Sequence, residues 1–224
     1  MSEHKIKSQE CSNEFINLFD LLKEQSIFID INFCKKIAKF ENCVCKLKIN
    51  NENNISYASG FFCYIPSTKI RALITNNHII NQEFLKNQKK ITIYIQDNDI
   101  EKEQEINLNI NRIKYTNEAL DVTVIEILDE DLIDDYITVD EELIQDNEFI
   151  NESVFNLHFP LGEKLKASFG KIINSMQNKT LFVHNAKTKS DCSGSPILLT
   201  KGLKIIGLHI GGSFTNNIKR SLFI

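Results

Sequence analysis

The chain has 224 residues, of which 42% are hydrophobic and 25% are charged, a balance typical of a globular protein. This length allows one large domain or two small ones, each with its own core. The formal net charge of −4 argues against a nucleic-acid-binding protein, which needs a basic surface to displace counterions from phosphates.

The sequence contains no recognisable targeting segment. Its first residues, MSEHKIKSQECSNEF, lack the apolar stretch that follows the charges of a secretory signal. No run of about 18 apolar residues occurs, so we expect no membrane-spanning helix. We therefore expect a cytoplasmic or otherwise intracellular protein.

The six cysteines are too few and too N-terminal for the disulfide framework of a secreted module, and we interpret them as free thiols. Cys43 and Cys45 would share one face of a strand, and no second Cys/His pair stands at zinc-ligand spacing, so no metal site is expected. The cysteines are Cys11, Cys34, Cys43, Cys45, Cys63 and Cys192.

Apolar residues near the N-terminus recur at helical spacing, with Ser12 as an N-cap. The pattern predicts a short N-terminal helical segment over residues 1–42, which either packs against the rest or acts as a regulatory or pro-segment. Its apolar positions are Phe15, Ile16, Leu18, Phe19 and Leu22.

From Cys43 the period of the apolar positions changes to two, which predicts β-strands. Six such runs without a long helical insert predict an antiparallel barrel over residues 43–128, because closure removes the sheet edges. The predicted strands are 44–49, 55–65, 70–75, 90–97, 104–114 and 121–128.

An acidic passage follows at residues 129–149, where ten residues are Asp or Glu. A calcium loop would need Gly at its bend and a defined ligand spacing, so we interpret the passage as a solvated linker between domains.

Six further strand-like runs predict a second barrel over residues 150–224. They are 153–159, 165–176, 180–185, 196–200, 203–210 and 218–224. The predicted fold class is therefore all-β, with two tandem six-stranded antiparallel β-barrels after the helical segment. A site is expected in the cleft between them.

Three polar residues stand where predicted strands begin or end. His78 follows an apolar strand, Asp121 opens another, and the Ser-Gly-Ser-Pro turn at 193–196 precedes a third. A buried carboxylate needs a donor such as an imidazole N–H, and the chain order His, Asp, Ser is that of the chymotrypsin arrangement.

Over residues 43–224 the chain resembles trypsin-like serine peptidases of the chymotrypsin clan, in the style of bacterial glutamyl endopeptidases and stress-related trypsin-like proteases. The segments that carry the resemblance are 59–61, 75–78, 120–125, 158–162, 193–196 and 207–212.

The resemblance implies a catalytic triad of His78, Asp121 and Ser193. Ser193 would attack the scissile carbonyl, His78 would carry its proton, and Asp121 would orient the imidazole. The backbone N–H groups of Asp191 and Ser193 would form the oxyanion hole. The resemblance implies no metal and no organic cofactor.

Two residues depart from the family pattern. Asp191 stands where the family usually has Gly, so activity depends on whether its backbone can aim the N–H inward. Cys192 stands where the family has Asp or Asn. Cys192 as the nucleophile would require a following Gly, but Ser193 follows, and Ser195 is then a turn residue.

The resemblance to glutamyl endopeptidases extends to the substrate pocket. Thr188 lies five residues before Ser193, and His209 lies in a Gly-x-His-x-Gly-Gly strand. Both groups donate hydrogen bonds, which predicts Glu or Gln before the scissile bond; core packing for His209 and a turn hydroxyl for Thr188 stay open as alternatives. Gly211 would let a substrate strand pair with the backbone.

The sequence thus leads to the hypothesis of a serine endopeptidase with protein or peptide substrates and no nucleic-acid or membrane partner. The alternative is a catalytically silent module that binds extended peptides. His158 and His184 have no partner visible in the sequence and are interpreted as structural or surface residues. The natural substrate and the oligomeric state stay open.

Overall fold

The structure is a computed structural model that describes residues 31–51, 54–97, 100–142, 149–176, 180–212 and 219–224. The chain divides into residues 1–30 and a unit of residues 31–224, and only the second is described. The helix predicted around residues 12–22 lies outside the described residues. No helix within the described ranges is long and apolar enough to cross a membrane.

The N-terminal half of the described chain builds one eight-stranded sheet. Its strand order is β5-β4-β1-β2-β3-β7-β6, all antiparallel, and β8 pairs with β2 in parallel. The elements are α1 (Ile31–Ala38), β1 (Val44–Asn51), β2 (Asn54–Ile65), β3 (Ile70–Thr75), α2 (Gln82–Asn87), β4 (Lys90–Asp97), β5 (Ile100–Asn107), β6 (Lys114–Asn117), β7 (Val122–Glu126) and β8 (Ile137–Thr138).

The C-terminal half is a closed barrel with the strand order β10-β11-β14-β13-β12-β9. Its strands are β9 (Ser153–His158), β10 (Lys166–Met176), β11 (Leu181–His184), β12 (Pro196–Leu199), β13 (Ile205–Gly212) and β14 (Lys219–Phe223). Closure pairs each of these strands with a neighbour on both sides, as expected for a barrel.

A shared apolar core joins the two halves. Phe61 and Ile74 of the first sheet belong to the same buried cluster as Leu157 and Leu198 of the barrel. Burying one such side chain contributes about 1.5–3 kcal/mol to folding. The two halves are therefore held against each other by shared packing.

The all-β class and the six strands of the second barrel are confirmed, while the first half differs from the predicted six strands. The run 104–114 is not one strand, because β5 ends at Asn107 and β6 begins at Lys114. Between them the side-chain oxygen of Asn109 accepts the N–H groups of Asn111 and Arg112, which closes a turn. Ile110, expected on an apolar face, is 93% exposed.

The acidic passage packs partly against the first sheet. Asp131 is buried and pairs with the guanidinium of Arg112 at 2.9 Å, and residues 137–138 form β8. The passage therefore contributes a strand and a buried ion pair in addition to connecting the halves. The segment boundaries 1–42, 43–128, 129–149 and 150–224 stay predictions.

Candidate active site

His78 and Asp121 contact each other at two points. His78 lies in the turn after β3, and Asp121 immediately precedes β7. The distance from His78 Nδ1 to Asp121 Oδ2 is 2.7 Å, and the backbone N–H of His78 donates to Oδ1 at 2.9 Å. Since a carboxylate only accepts, Nδ1 carries the proton, which leaves the lone pair of Nε2 free to act as a base.

The backbone of Asp121 is itself held in place. Its φ is +52°, in the left-handed region that Asp tolerates better than most residues, and its carbonyl accepts a hydrogen bond from Asn76 Nδ2 at 2.9 Å. The side chain of Asp121 is 20% exposed and that of His78 is 45% exposed. The pair is therefore oriented by its surroundings while the imidazole still faces solvent.

The loop that contains Ser193, residues 189–195, is anchored to the first sheet. The N–H of Ser59 in β2 donates to the Ser193 carbonyl at 2.9 Å, and Ser59 Oγ donates to the Asp191 carbonyl at 3.1 Å. Gly194 has φ +87°, and a Cβ there would lie 2.0 Å from the Ser59 carbonyl oxygen. Only glycine fits at that position, since it combines a left-handed backbone with a close approach.

Ser193 is half-buried, and its hydroxyl donates to the carbonyl of Ile210 at 3.0 Å. Ile210 sits at a register shift in β13, between His209 and Gly211. Among the described residues, no hydrogen bond joins Ser193 to His78. The structure therefore brings His78 and Asp121 together directly, while the Ser193 hydroxyl faces β13.

The other two nucleophile candidates of the loop are buried. The hydroxyl of Ser195 is bound to the Cys192 carbonyl at 2.6 Å. Cys192 is fully buried, and burial raises the pKa of its thiol to about 11, so it is not a thiolate near neutral pH. These observations favour Ser193 over both neighbours.

Asp191 adopts the left-handed backbone conformation on which its predicted role depends. Its φ is +69°, in the left-handed region where glycine is usual, at a cost of about 1–2 kcal/mol for a residue with a side chain. The N–H groups of Asp191 and Ser193 donate to no other described residue, so both are free to bind a ligand oxygen. Partial burial raises the pKa of the Asp191 carboxyl.

Of the predicted pocket residues, His209 is buried and Thr188 is half-buried. His209 Nδ1 lies 3.4 Å from Nε2 of His184, and no hydrogen bond joins Thr188 to His209 within the described ranges. Burial, with a contribution from His184, lowers the pKa of His209 well below its usual value, so this imidazole is neutral. The space beside the Cα of Gly211 is open, because a Cβ there would meet no described atom within 4 Å.

His158 and His184 have partners that the sequence does not reveal. His158 Nδ1 lies 2.6 Å from Cys192 Sγ, and His184 contacts His209. Both histidines are buried, so they are structural and not surface residues. No sequence pattern pairs His184 with His209, because β14 lies between their strands. The described residues contain no cluster suited to a metal ion.

A cavity of about 700 Å³ borders His78 on the side of the first sheet. Tyr57, Ile79 and Phe84 supply its larger apolar side chains, and Glu83 adds a carboxylate to its wall. None of the described residues of the second barrel lines it. The cavity is therefore distinct from the predicted specificity pocket, since neither Thr188 nor His209 lines it.

No family model and no curated protein matches this sequence. Solved structures do match its fold. The serine endoprotease of Yersinia pestis matches with a TM-score of 0.65 at 16% identity, over 88% of this chain and 64% of that one. The active form of the Rv3671c protease of M. tuberculosis matches with a TM-score of 0.62 at 15% identity, over 84% and 78% of the two chains.

A viral protease matches as well. The catalytically active tobacco etch virus protease, complexed with product, has a TM-score of 0.60 at 15% identity, over 89% of this chain and 79% of that one. The present chain spans 64% of the length of the Yersinia structure. At these identities the likeness shows the fold alone, and the chain has the chymotrypsin fold of these proteases.

Proposed function

We propose that the chain is a serine endopeptidase that hydrolyses peptide bonds of protein or peptide substrates through His78, Asp121 and Ser193. The observation that carries this proposal is the two-point contact between His78 and Asp121, at 2.7 and 2.9 Å. A surface histidine without a catalytic role has no need for a partly buried carboxylate on both its backbone and its ring.

In the proposed mechanism the Ser193 hydroxyl leaves the Ile210 carbonyl and turns towards Nε2 of His78. Nε2 takes the hydroxyl proton as Ser193 Oγ attacks the scissile carbonyl, and the imidazolium then returns this proton to the leaving amine. Asp121 stabilises the transient imidazolium and keeps the ring oriented. Water then hydrolyses the acyl-enzyme by the same route.

The oxyanion hole is assigned to the backbone N–H groups of Asp191 and Ser193. Support comes from the left-handed backbone of Asp191 and from the lack of any other described acceptor for these two donors. Loss of one such donor in an analogous enzyme costs about 2.7–4 kcal/mol of transition-state stabilisation.

The specificity proposal is Glu or Gln before the scissile bond, with Thr188, His209 and Gly211 as substrate-binding residues. A hydroxyl and a neutral imidazole both donate to a side-chain oxygen without requiring a charged partner. The burial of His209 and its contact with His184 support a fixed ring at that position. The cavity beside His78 would receive residues on the leaving side of the bond.

Peptides that differ only in the residue before the scissile bond test this pocket. We expect cleavage after Glu or Gln and little cleavage after Lys or Leu, and we expect Thr188→Val to weaken the preference by about 10-fold or more. Thr188→Ser, which keeps the hydroxyl, is the matched control. Cleavage after Lys alone would contradict the assignment.

A catalytically silent, peptide-binding module is the second candidate. The hydrogen bond from Ser193 to Ile210 favours it, because the hydroxyl is turned away from His78, and so does the carboxylate of Asp191 beside the proposed oxyanion hole. This candidate uses the open space beside Gly211 for an extended peptide and requires no chemistry.

A fluorophosphonate probe separates the two candidates, since it labels only an activated serine. We expect labelling of the wild type and none of Ser193→Ala. Ser190→Ala, which removes an exposed hydroxyl of the same loop, is the control that retains labelling. Peptide masses after proteolysis locate the label. A folded wild type that resists the probe would contradict the endopeptidase and leave the silent module.

A further inference from the structure

Cys192 stands between the two residues whose N–H groups are assigned to the oxyanion hole. Its side chain is fully buried and points away from the cleft into the barrel, towards His158 at the end of β9. The Sγ atom lies 2.6 Å from His158 Nδ1 and accepts the N–H of Lys189 at 3.3 Å. It also lies 3.7 Å from the carbonyl of Ser190.

The contact between Cys192 and His158 is a hydrogen bond between neutral groups. Burial raises the pKa of the Cys192 thiol to about 11 and lowers the pKa of His158 to about 4. Near neutral pH neither group is charged, so one of them supplies the single shared proton. The pair is therefore not a reactive thiolate and imidazolium, and it has no access to substrate.

The peptide units on either side of Cys192 are held from two directions. The Cys192 carbonyl accepts both the N–H and the hydroxyl of Ser195, which closes the turn within the loop itself. Ser59 holds the carbonyls of Asp191 and Ser193 from the side of the first sheet. From the side of the barrel, His158 is the side chain that contacts the loop at Cys192.

We propose that Cys192 and His158 form a positioning pair that fixes the orientation of the Asp191 and Ser193 N–H groups. The inference rests on the proposed serine endopeptidase. Ser59 holds the loop from the first sheet, while backbone hydrogen bonds to His209 and Leu161 hold it from the barrel side on either side of Cys192. The contact with His158 adds the restraint at Cys192 itself, between the two donors. The restraint on the loop matters most at Asp191. A left-handed backbone is unfavourable in free energy for a residue with a side chain, and other contacts must offset that cost.

The test compares two variants that each remove a fully buried sulfur. Cys192→Ala deletes the contact with His158, and Cys63→Ala deletes a thiol in β2 that has no polar side-chain contact among the described residues. We expect Cys192→Ala to lower kcat and the fluorophosphonate labelling rate about 10-fold or more per folded molecule, with KM changed less than about 3-fold. We expect Cys63→Ala to change thermal stability without changing either rate.

Two further variants keep the test decisive if Cys192→Ala does not fold. Cys192→Ser retains a donor and should recover part of the rate, and His158→Leu, which has no polar side-chain atom, should lower the rate as Cys192→Ala does. In the double variant the two losses should not add, because both changes remove the same contact. Additive losses, or unchanged rates in His158→Leu, would overturn the positioning pair.

The outcomes also separate this inference from the proposed function. If the wild type labels and the variants at 192 and 158 label equally fast, the positioning pair is wrong and the endopeptidase stands. If the folded wild type does not label, the endopeptidase is wrong and the positioning pair is overturned with it.

Discussion

The two halves of the molecule contribute to the candidate site in opposite ways. The first sheet supplies His78 and Asp121, which are partly exposed and rely on a contact between a carboxylate and an imidazole. The second barrel supplies the loop that contains Ser193, and this loop is supported by the buried, neutral contact between Cys192 and His158. The proposed chemistry at the surface of one half would therefore depend on packing inside the other.

This contrast predicts whether substitutions in each half lower the rate or the stability. A pair that lies near solvent tolerates substitution without unfolding, so changes there should affect rate more than stability. Groups that are buried in their neutral form should lower the stability when they are protonated or removed, because desolvation disfavours their charged forms.

Asp121→Asn should lower kcat by about 10⁴-fold, because an amide no longer fixes the tautomer of His78 or stabilises its charge. The melting temperature should stay close to that of the wild type, since Asp121 is partly exposed. Steady-state kinetics and thermal unfolding measure the two effects. Glu118→Gln removes a negative charge from the same turn and is the matched control; an equal loss in both variants would contradict the role of Asp121.

Asp131→Ala should lower the free energy of unfolding by about 3–5 kcal/mol, because it leaves the buried guanidinium of Arg112 without its partner. The labelling rate per folded molecule should not change, since this pair lies outside the site. Urea denaturation measures the loss. Glu130→Ala, which removes an exposed partner 3.7 Å from the same guanidinium, should cost about 1 kcal/mol or less; similar losses would contradict the contrast between the two carboxylates.

Stability should fall as the pH is lowered from about 6.5 towards 4. Burial lowers the pKa of His158 to about 4 and that of His184 to about 3, so the unfolded chain takes up protons in this range before the folded chain does. Each histidine should contribute at most a few kcal/mol, because a tenfold change in a protonation equilibrium corresponds to about 1.4 kcal/mol. Urea denaturation between pH 7 and 4.5 measures the slope, and His184→Leu should make it shallower; an unchanged slope would contradict a neutral, buried His184.

Local patterns in the sequence were sufficient for much of the fold. Short apolar runs bounded by turn residues predicted all six strands of the second barrel, although most of these strands are buried along nearly their whole length and show no alternation in burial. Alternation of apolar residues failed as a guide at 104–114, where Asn109 closes a turn with its side chain and interrupts a pattern that still looks continuous.

The candidate site likewise has a part that the sequence predicts and a part that only the folded chain decides. That His78, Asp121 and Ser193 occur in the order of the chymotrypsin arrangement follows from the sequence alone, since motif identity and order are local properties. Three features emerge only in the folded chain: His78 touches Asp121, Asp191 adopts φ +69°, and the Ser193 hydroxyl faces Ile210. The contact of Cys192 with His158 is a fourth. Such contacts join residues far apart in the chain, and strand register and barrel closure, which no single segment encodes, bring them within hydrogen-bonding distance.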